Sequence, residues 1–281
     1  MNLKKAAGAA AVIGGAAFVK GLDKRLKVTE YEVSAGNIPQ SFEGFRIAHI
    51  SDCHGMDIPG LKEKTAELRP DIIVCTGDLF DDEGRPDEGL ALAEKLASIA
   101  PMYLVTGNHD AWRGDYHALE KRLVEMGIVP LHNERLFLQN EGGRIALSGI
   151  DDPFVFTGES VAKRVKDSLL ELGPPEEAYE ILLFHRANLL DMVCGLGFDL
   201  ILSGHNHGGQ VRLPFVGGVA APTSSWGGGR MLFPPYSGGQ YEKDGCRMIV
   251  SCGLANTTFV PRLFNRPELI SIKLSHKENE K

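Results

Sequence analysis

Two histidines two positions apart, His205 and His207, stand in the run Ser203-Gly204-His205-Asn206-His207-Gly208-Gly209-Gln210, directly after an apolar segment over residues 198–202. In an extended strand end, side chains at i and i+2 point the same way, so both imidazoles are expected to face one point. A metal ion is the natural occupant of that point. Four more blocks offer matching chemistry: Asp52 and His54 in Ser51-Asp52-Cys53-His54, Asp78 and Asp81 in Gly77-Asp78-Leu79-Phe80-Asp81, Asn108 and His109 in Gly107-Asn108-His109-Asp110, and His185 after the apolar residues 181–184. Imidazole nitrogen mixed with carboxylate and amide oxygen suits borderline divalent metals such as Mn, Fe or Zn better than calcium or a thiolate site.

Each block follows a segment that reads as a strand. Residues 45–50, 71–76, 102–106, 144–149, 180–184 and 199–203 have strand length and β-branched or aromatic content, and they stop at Gly, Ser or Asp. Between them, residues 60–69, 87–100, 115–126 and 160–172 read as helices. In the third, Leu119, Leu123 and Met126 make an apolar stripe while Lys121 and Arg122 face away. The alternation predicts an α/β core with its ligands past the carboxyl ends of strands, where such folds bind them. After Gln210, glycines and prolines mark long turns before two closing strands over 246–251 and 268–274.

With 281 residues and 43% hydrophobic composition the chain can bury a full core. Its net charge of −7 argues against a sequence-independent nucleic-acid surface. The five cysteines are odd in number and lack Cys-x-x-Cys spacing, so neither a zinc ribbon nor a disulfide framework is expected. Cys75 and Cys252 read as small buried hydrophobes. At the N-terminus, Lys4 and Lys5 precede an apolar stretch over residues 6–19, and Lys20, Lys24, Arg25 and Lys27 follow it, as in a signal peptide or short signal anchor. A helix that long rises about 21 Å against a hydrocarbon core of about 30 Å, so spanning would need Lys20 to snorkel. The expectation is membrane association through residues 6–19, with export or cell-wall association as the alternative. Basic residues on both flanks leave the orientation open.

Taken in order, the blocks Asp-x-His, Gly-Asp-x-x-Asp, Gly-Asn-His-Asp, lone His and Gly-His-x-His resemble the motif string of the calcineurin-like metallophosphoesterase superfamily. The likeness runs from about residue 42 to 274 and is closest to the bacterial YkuE/YaeI-like phosphodiesterase branch. Gly149-Ile150-Asp151-Asp152, Gly208-Gly209-Gln210, Pro235-Tyr236-Ser237-Gly238-Gly239 and Arg262-Leu263-Phe264-Asn265-Arg266-Pro267-Glu268 carry it. One departure is His185-Arg186-Ala187-Asn188, where the family often has His-Arg-Pro-Glu. The resemblance implies an α/β four-layer αββα sandwich over residues 42–274, after an anchor-like segment (1–27) and a lead-in (28–41), and before a polar, frayed tail (275–281).

It also implies two divalent metal ions, one on Asp52, His54, Asp78 and His207, the other on Asp78, Asn108, His185 and His205, with Asp78 as the bridge. His109 matches the group that stabilises charge and protonates the leaving oxygen, and Asp81 the carboxylate that orients it. The implied activity is hydrolysis of a phosphate ester by in-line attack of a metal-bridged hydroxide. A diester is preferred because no arginine cluster accompanies the metal blocks, although Arg113, Arg186 or Arg212 could fold inward. Two other readings stand beside it: a membrane-associated hydrolase of a phospholipid or lipid-linked diphosphate, suggested by residues 6–19 and the apolar run 154–156, and a non-catalytic metal-binding scaffold. His49, Asp82, Glu83, Asp110, His117, His132 and His276 are expected to be structural or solvated.

Overall fold

The computed structural model describes residues 15, 18–153, 160–213, 215–221, 232–256 and 261–278. The apolar run 154–156 and most of the segment 6–19 lie outside them. Among the described residues no helix is long and apolar enough to cross a membrane.

The strands are, in chain order, β1 (Lys27–Ala35), β2 (Arg46–Ile50), β3 (Ile72–Thr76), β4 (Met102–Val105), β5 (Val129–Pro130), β6 (Glu134–Asn140) and β7 (Gly143–Ile150). There follow β8 (Glu180–Arg186), β9 (Leu200–Gly204), β10 (Arg212–Leu213), β11 (Gly217–Gly218), β12 (Gly239–Lys243), β13 (Cys246–Val250) and β14 (Glu268–His276). One sheet has the order β1-β14-β2-β3-β4-β5 and the other β12-β13-β9-β8-β7-β6.

Alternation along these strands builds the layers. Ala48, Ile50, Ile73, Cys75 and Leu104 face outward from the first sheet, against Leu61 of α1 (Leu61–Leu68) and Leu90 and Leu96 of α2 (Pro86–Ala97). After the short α3 (Asn108–Trp112), Leu119 and Leu123 of α4 (Tyr116–Glu125) join that cluster. Ile47, Ile72 and Val74 point the other way, into a core shared with Leu147, Ile181, Leu183 and Leu202 of the second sheet. Beyond it, Leu182, Phe184 and Ile201 pack against Val165 and Leu172 of α5 (Val161–Leu172). The order helix, sheet, sheet, helix is the αββα sandwich.

The expected strands and helices are found within a few residues of their expected ends. The expected lead-in over residues 28–41 is instead largely structural, because β1 pairs in parallel with β14 along its whole length, from Lys27 opposite Glu268 to Ala35 opposite His276. Its charged residues Glu30 and Glu32 alternate outward, as an edge strand facing water requires. The tail also starts later than expected. Ser275 and His276 complete β14, and His276 donates its backbone N–H to Glu43 Oε2 at 2.7 Å. All five cysteines are free, and Cys75 and Cys252 are buried.

His132 joins α4 to the end of β7: Nδ1 lies 3.0 Å from Asp151 Oδ1 and Nε2 lies 2.5 Å from Glu120 Oε1. The hydrogen bond to Asp151, opposed by partial burial, pushes the imidazole from 6.5 up to about 9. A raised folded-state value means stabilisation fully present below 6.5 and lost as pH climbs through about 9. His132→Gln is therefore expected to cost roughly 1 kcal/mol at pH 6, discounted because the ring is partly in water, and nearly nothing from this effect above pH 10. Urea midpoints of both proteins across that range measure it; a difference that stays constant with pH would mean the ring contributes packing alone.

Candidate metal centre

The loops after β2, β3 and β4 of one sheet meet the end of β8 and the loop after β9 of the other at a single edge. Thr76 O, at the end of β3, accepts from His185 Nδ1 at 2.7 Å, and both Asp52 carboxylate oxygens accept from the His205 backbone N–H at 3.1 Å. Asp52, His54, Asp78, Asn108, His185, His205 and His207 are all brought together there, none more than 7% exposed.

Their backbone is not the extended strand end that the i, i+2 argument assumes. Asp52 (φ 52°), His54 (46°), Asp78 (52°), His205 (72°) and His207 (44°) are all left-handed. Such a conformation costs a non-glycine residue on the order of 1–3 kcal/mol and persists only where its surroundings enforce it. One consequence is that His205 and His207 do not face one point. His207 Nε2 lies 3.3 Å from Asp52 Oδ1, whereas His205 Nδ1 lies 3.2 Å from His185 Nε2. Close approach also demands glycine at Gly107, where a Cβ would sit 2.1 Å from Asp78 Oδ1.

Two groups result. Asp52, His54, Asp78 and His207 each present a ligand atom within 4.8 Å of the others, all buried, a set able to hold a cation. In the second, His185 Nε2 lies 3.3 Å from Asp78 Oδ2, 3.2 Å from Asn108 Oδ1 and 3.2 Å from His205 Nδ1. Asp78 Oδ2 belongs to both, being also 3.7 Å from His54 Nε2.

The donor chemistry fits a metal. His185 Nδ1 carries its proton toward the Thr76 carbonyl, which can only accept, so in the neutral ring the Nε2 lone pair faces a carboxylate oxygen and an amide oxygen. Acceptors converging on acceptors need either a proton or a cation between them. His54 Nε2 is buried with no hydrogen-bond partner among the described residues. Without a cation, burial opposes charge on His185 but the adjacent Asp78 overrides it, pushing the ring up to about 10. Burial raises the Asp78 carboxyl, yet His185 and His54 hold it well below the carboxylate range. Burial holds His207 down to about 4, and burial with Arg186 beside it keeps His205 neutral, the form that ligates.

Around this centre lie the orienting groups. His109 sits on α3, its backbone N–H donating to Asp78 Oδ1 at 2.8 Å and its ring edge-on to His54 at 4.5 Å. Its Nδ1 is 3.2 Å from Asp81 Oδ1, the expected partner, but nearer, at 2.9 Å, to Asp82 Oδ1, which the sequence reading leaves as a solvated loop residue. Asp81 Oδ1 is also 3.3 Å from His54 Nδ1, so it serves both rings. Asp110 is structural as expected, accepting from the backbone N–H groups of Phe80 and Gly107.

Of the three arginines expected as candidates, Arg113 braces the Asp81 loop through Asp81 O and Gly84 O, and Arg212 bonds Gly208 O and Gly238 O. Only Arg186 turns into the site, clamped by Asp152 at 2.7 and 3.1 Å and 3.4 Å from His205 Nε2. Arg262, given no role by the sequence reading, is buried with Nη2 3.5 Å from His207 Nδ1, and Asn265 Nδ2 donates to His207 O at 2.7 Å. Asp152, Arg262 and Asn265 fall in the very runs that carry the branch resemblance, which was their only sequence signal.

Two packed sheets that converge buried carboxylates and imidazoles at one shared edge define a metal-dependent hydrolase of αββα architecture. The sequence matches the calcineurin-like phosphoesterase family over residues 45–209, more than half of its length, and the chain belongs to that family. It is a metal-dependent phosphoric ester hydrolase of the YkuE/YaeI-like kind. It is similar to the metallophosphoesterase YkuE of Bacillus subtilis (strain 168), 29% identical over 279 residues covering 94% of this chain and 91% of the relative. Phosphodiesterase YaeI of Escherichia coli (strain K12) is 31% identical over 162 residues, 56% of each chain. A Bos taurus transmembrane protein with a metallophosphoesterase domain is 30% identical over 267 residues, 88% of this chain and 56% of the relative.

Proposed function

We propose that the chain is a phosphodiesterase with a dinuclear centre, Asp52, His54, Asp78 and His207 holding one divalent cation (Mn, Fe or Zn) and Asp78, Asn108, His185 and His205 a second. The observation that carries this reading is Asp78 Oδ2, placed between an imidazole of each group. Bound cations of this kind acidify a shared water and neutralise phosphoryl oxygens. The chain's own residues do the rest. Asp52 and Asp78 fix the backbone of His205 and His109 while presenting oxygens to the centre. Asp81 and Asp82 hold His109 by Nδ1, leaving Nε2 as the nitrogen that hands a proton to the leaving oxygen. A diester is favoured because Asp152 already neutralises Arg186, so Arg262 beside His207 is the other inward guanidinium left to meet phosphoryl oxygens, little positive charge for a dianionic phosphate; the name of the YaeI relative points the same way. The segment 6–19 is read as the membrane attachment of the enzyme, with export or cell-wall association as the alternative.

Reconstituting metal-free protein with Mn, Fe or Zn and assaying bis-nitrophenyl against mono-nitrophenyl phosphate tests the reading. Metal-dependent turnover with the diester faster is expected; hydrolysis that survives full chelation would end it. Asp82→Asn is expected to keep the metals and slow alkyl diesters about tenfold, part of the 10² to 10⁴ that acid catalysis supplies. No change in rate would leave Asp81 as the sole orienting carboxylate.

A further inference from the structure

Exposed apolar side chains are normally scattered singly, and a crowd of them marks a contact surface. Of the fourteen exposed large hydrophobic residues described in this chain, eight lie on one connected ribbon. Its centre is the β10-β11 hairpin, where Leu213, Phe215 and Val216 are exposed and Phe215 has no cover at all. On one side, Val219 O accepts from the backbone N–H of Phe233 at 2.8 Å, and Ala220 bridges Leu232; both Leu232 and Phe233 are more than half exposed. On the other, Leu263 O accepts from the Arg212 N–H, and the N–H of the exposed Phe264 reaches Gly21 O at 2.6 Å. Gly21 lies two residues past the apolar N-terminal segment, whose last residues Phe18 and Val19 are again exposed.

Charge says what covers this face. The chain carries −7 overall, yet where the apolar segment joins the ribbon Lys20, Lys24, Arg25 and Lys27 are exposed cations; Arg25 pairs with Asp23 at 2.8 Å and Lys27 lies 3.4 Å from Glu268, so Lys20 and Lys24 supply the net positive charge. An apolar face flanked at one end by basic residues and reached by an apolar segment of the same chain matches an anionic bilayer, where each Lys or Arg near the surface contributes about 1 kcal/mol. β10 also begins only five residues after His207, and Asn265 donates to both His207 O and Gln210 O.

We propose that this ribbon seats on the anionic surface of a lipid bilayer, with Phe215 and Phe233 in the boundary between headgroups and acyl chains. Resting on the phosphoesterase reading, the second half of the inference is that the centre takes a phosphodiester displayed at that surface.

The test uses the full-length, metal-loaded protein on phosphatidylglycerol and phosphatidylcholine vesicles with brominated acyl chains. The emission gained in Phe215→Trp is expected to shift blue and be quenched, whereas the emission gained in Leu170→Trp, at an exposed position on α5, is unchanged. Quenching at neither position, or equally at both, overturns the docking surface. A blue shift of Phe215→Trp that follows protein concentration without lipid overturns it too, since a second copy would then be the occupant. Phe215→Asp combined with Phe233→Asp is expected to leave a soluble diester untouched and slow a vesicle-embedded one roughly tenfold or more. Equal rates on both overturn the substrate half alone, and a metal-loaded wild-type protein inert toward both the soluble and the vesicle-embedded diester would sink the phosphodiesterase reading while the quenching result stood.

Discussion

Asp78→Ala is expected to deplete both metal positions and lower phosphodiester hydrolysis by roughly 10³-fold or more, since a dinuclear centre supplies several kcal/mol of charge stabilisation and about 1.4 kcal/mol is tenfold in rate. The reason is position. Asp78 Oδ2 is shared between His54 and His185, and Oδ1 accepts the His109 backbone N–H, so one truncation disturbs both groups and the orientation of α3. His54→Ala removes a ligand from the Asp52 group only and is expected to deplete chiefly that position, leaving more residual metal. Elemental analysis beside kcat/KM on the two variants measures the contrast. Equal depletion by both substitutions would contradict the assignment of Asp78 as the shared ligand.

The second large effect belongs to His109. His109→Gln is expected to retain both metals, slow an alkyl diester by about 10² to 10⁴, and slow a nitrophenyl ester far less, because a leaving group that is already a stable anion needs little protonation. The imidazole is suited to this role by its Nδ1 contacts to Asp81 and Asp82 and by its place beside His54, outside the seven-residue set. If both esters slow by the same factor with metal retained, His109 stabilises transition-state charge instead. Loss of metal would move it into the ligand set, a possibility with a geometric basis in the group His54, Asp81 and His109.

The central strands were legible because Ile72 to Cys75 and Ile181 to Phe184 are buried on both faces and so read as unbroken apolar runs. β1 was not, since an edge strand that alternates Lys27, Glu30 and Glu32 with half-buried residues has the composition of a linker. The ligand identities were legible from residue type and order. Their geometry was not legible from spacing: nothing in an Asp or His reports a left-handed φ, and the split of His205 and His207 between two groups came from the family resemblance against the i, i+2 argument. Asp82 was hidden for a related reason, since an acidic loop run looks solvated until α3 brings His109 over it.

Low-temperature electron paramagnetic resonance on metal-free protein titrated with Mn²⁺, with diester hydrolysis followed in the same samples, tests the shared-carboxylate centre most directly. The account predicts a spin-coupled pair that forms as the second equivalent binds, with activity rising in step. Spectra of magnetically isolated ions at two equivalents, or full activity at one, would contradict it.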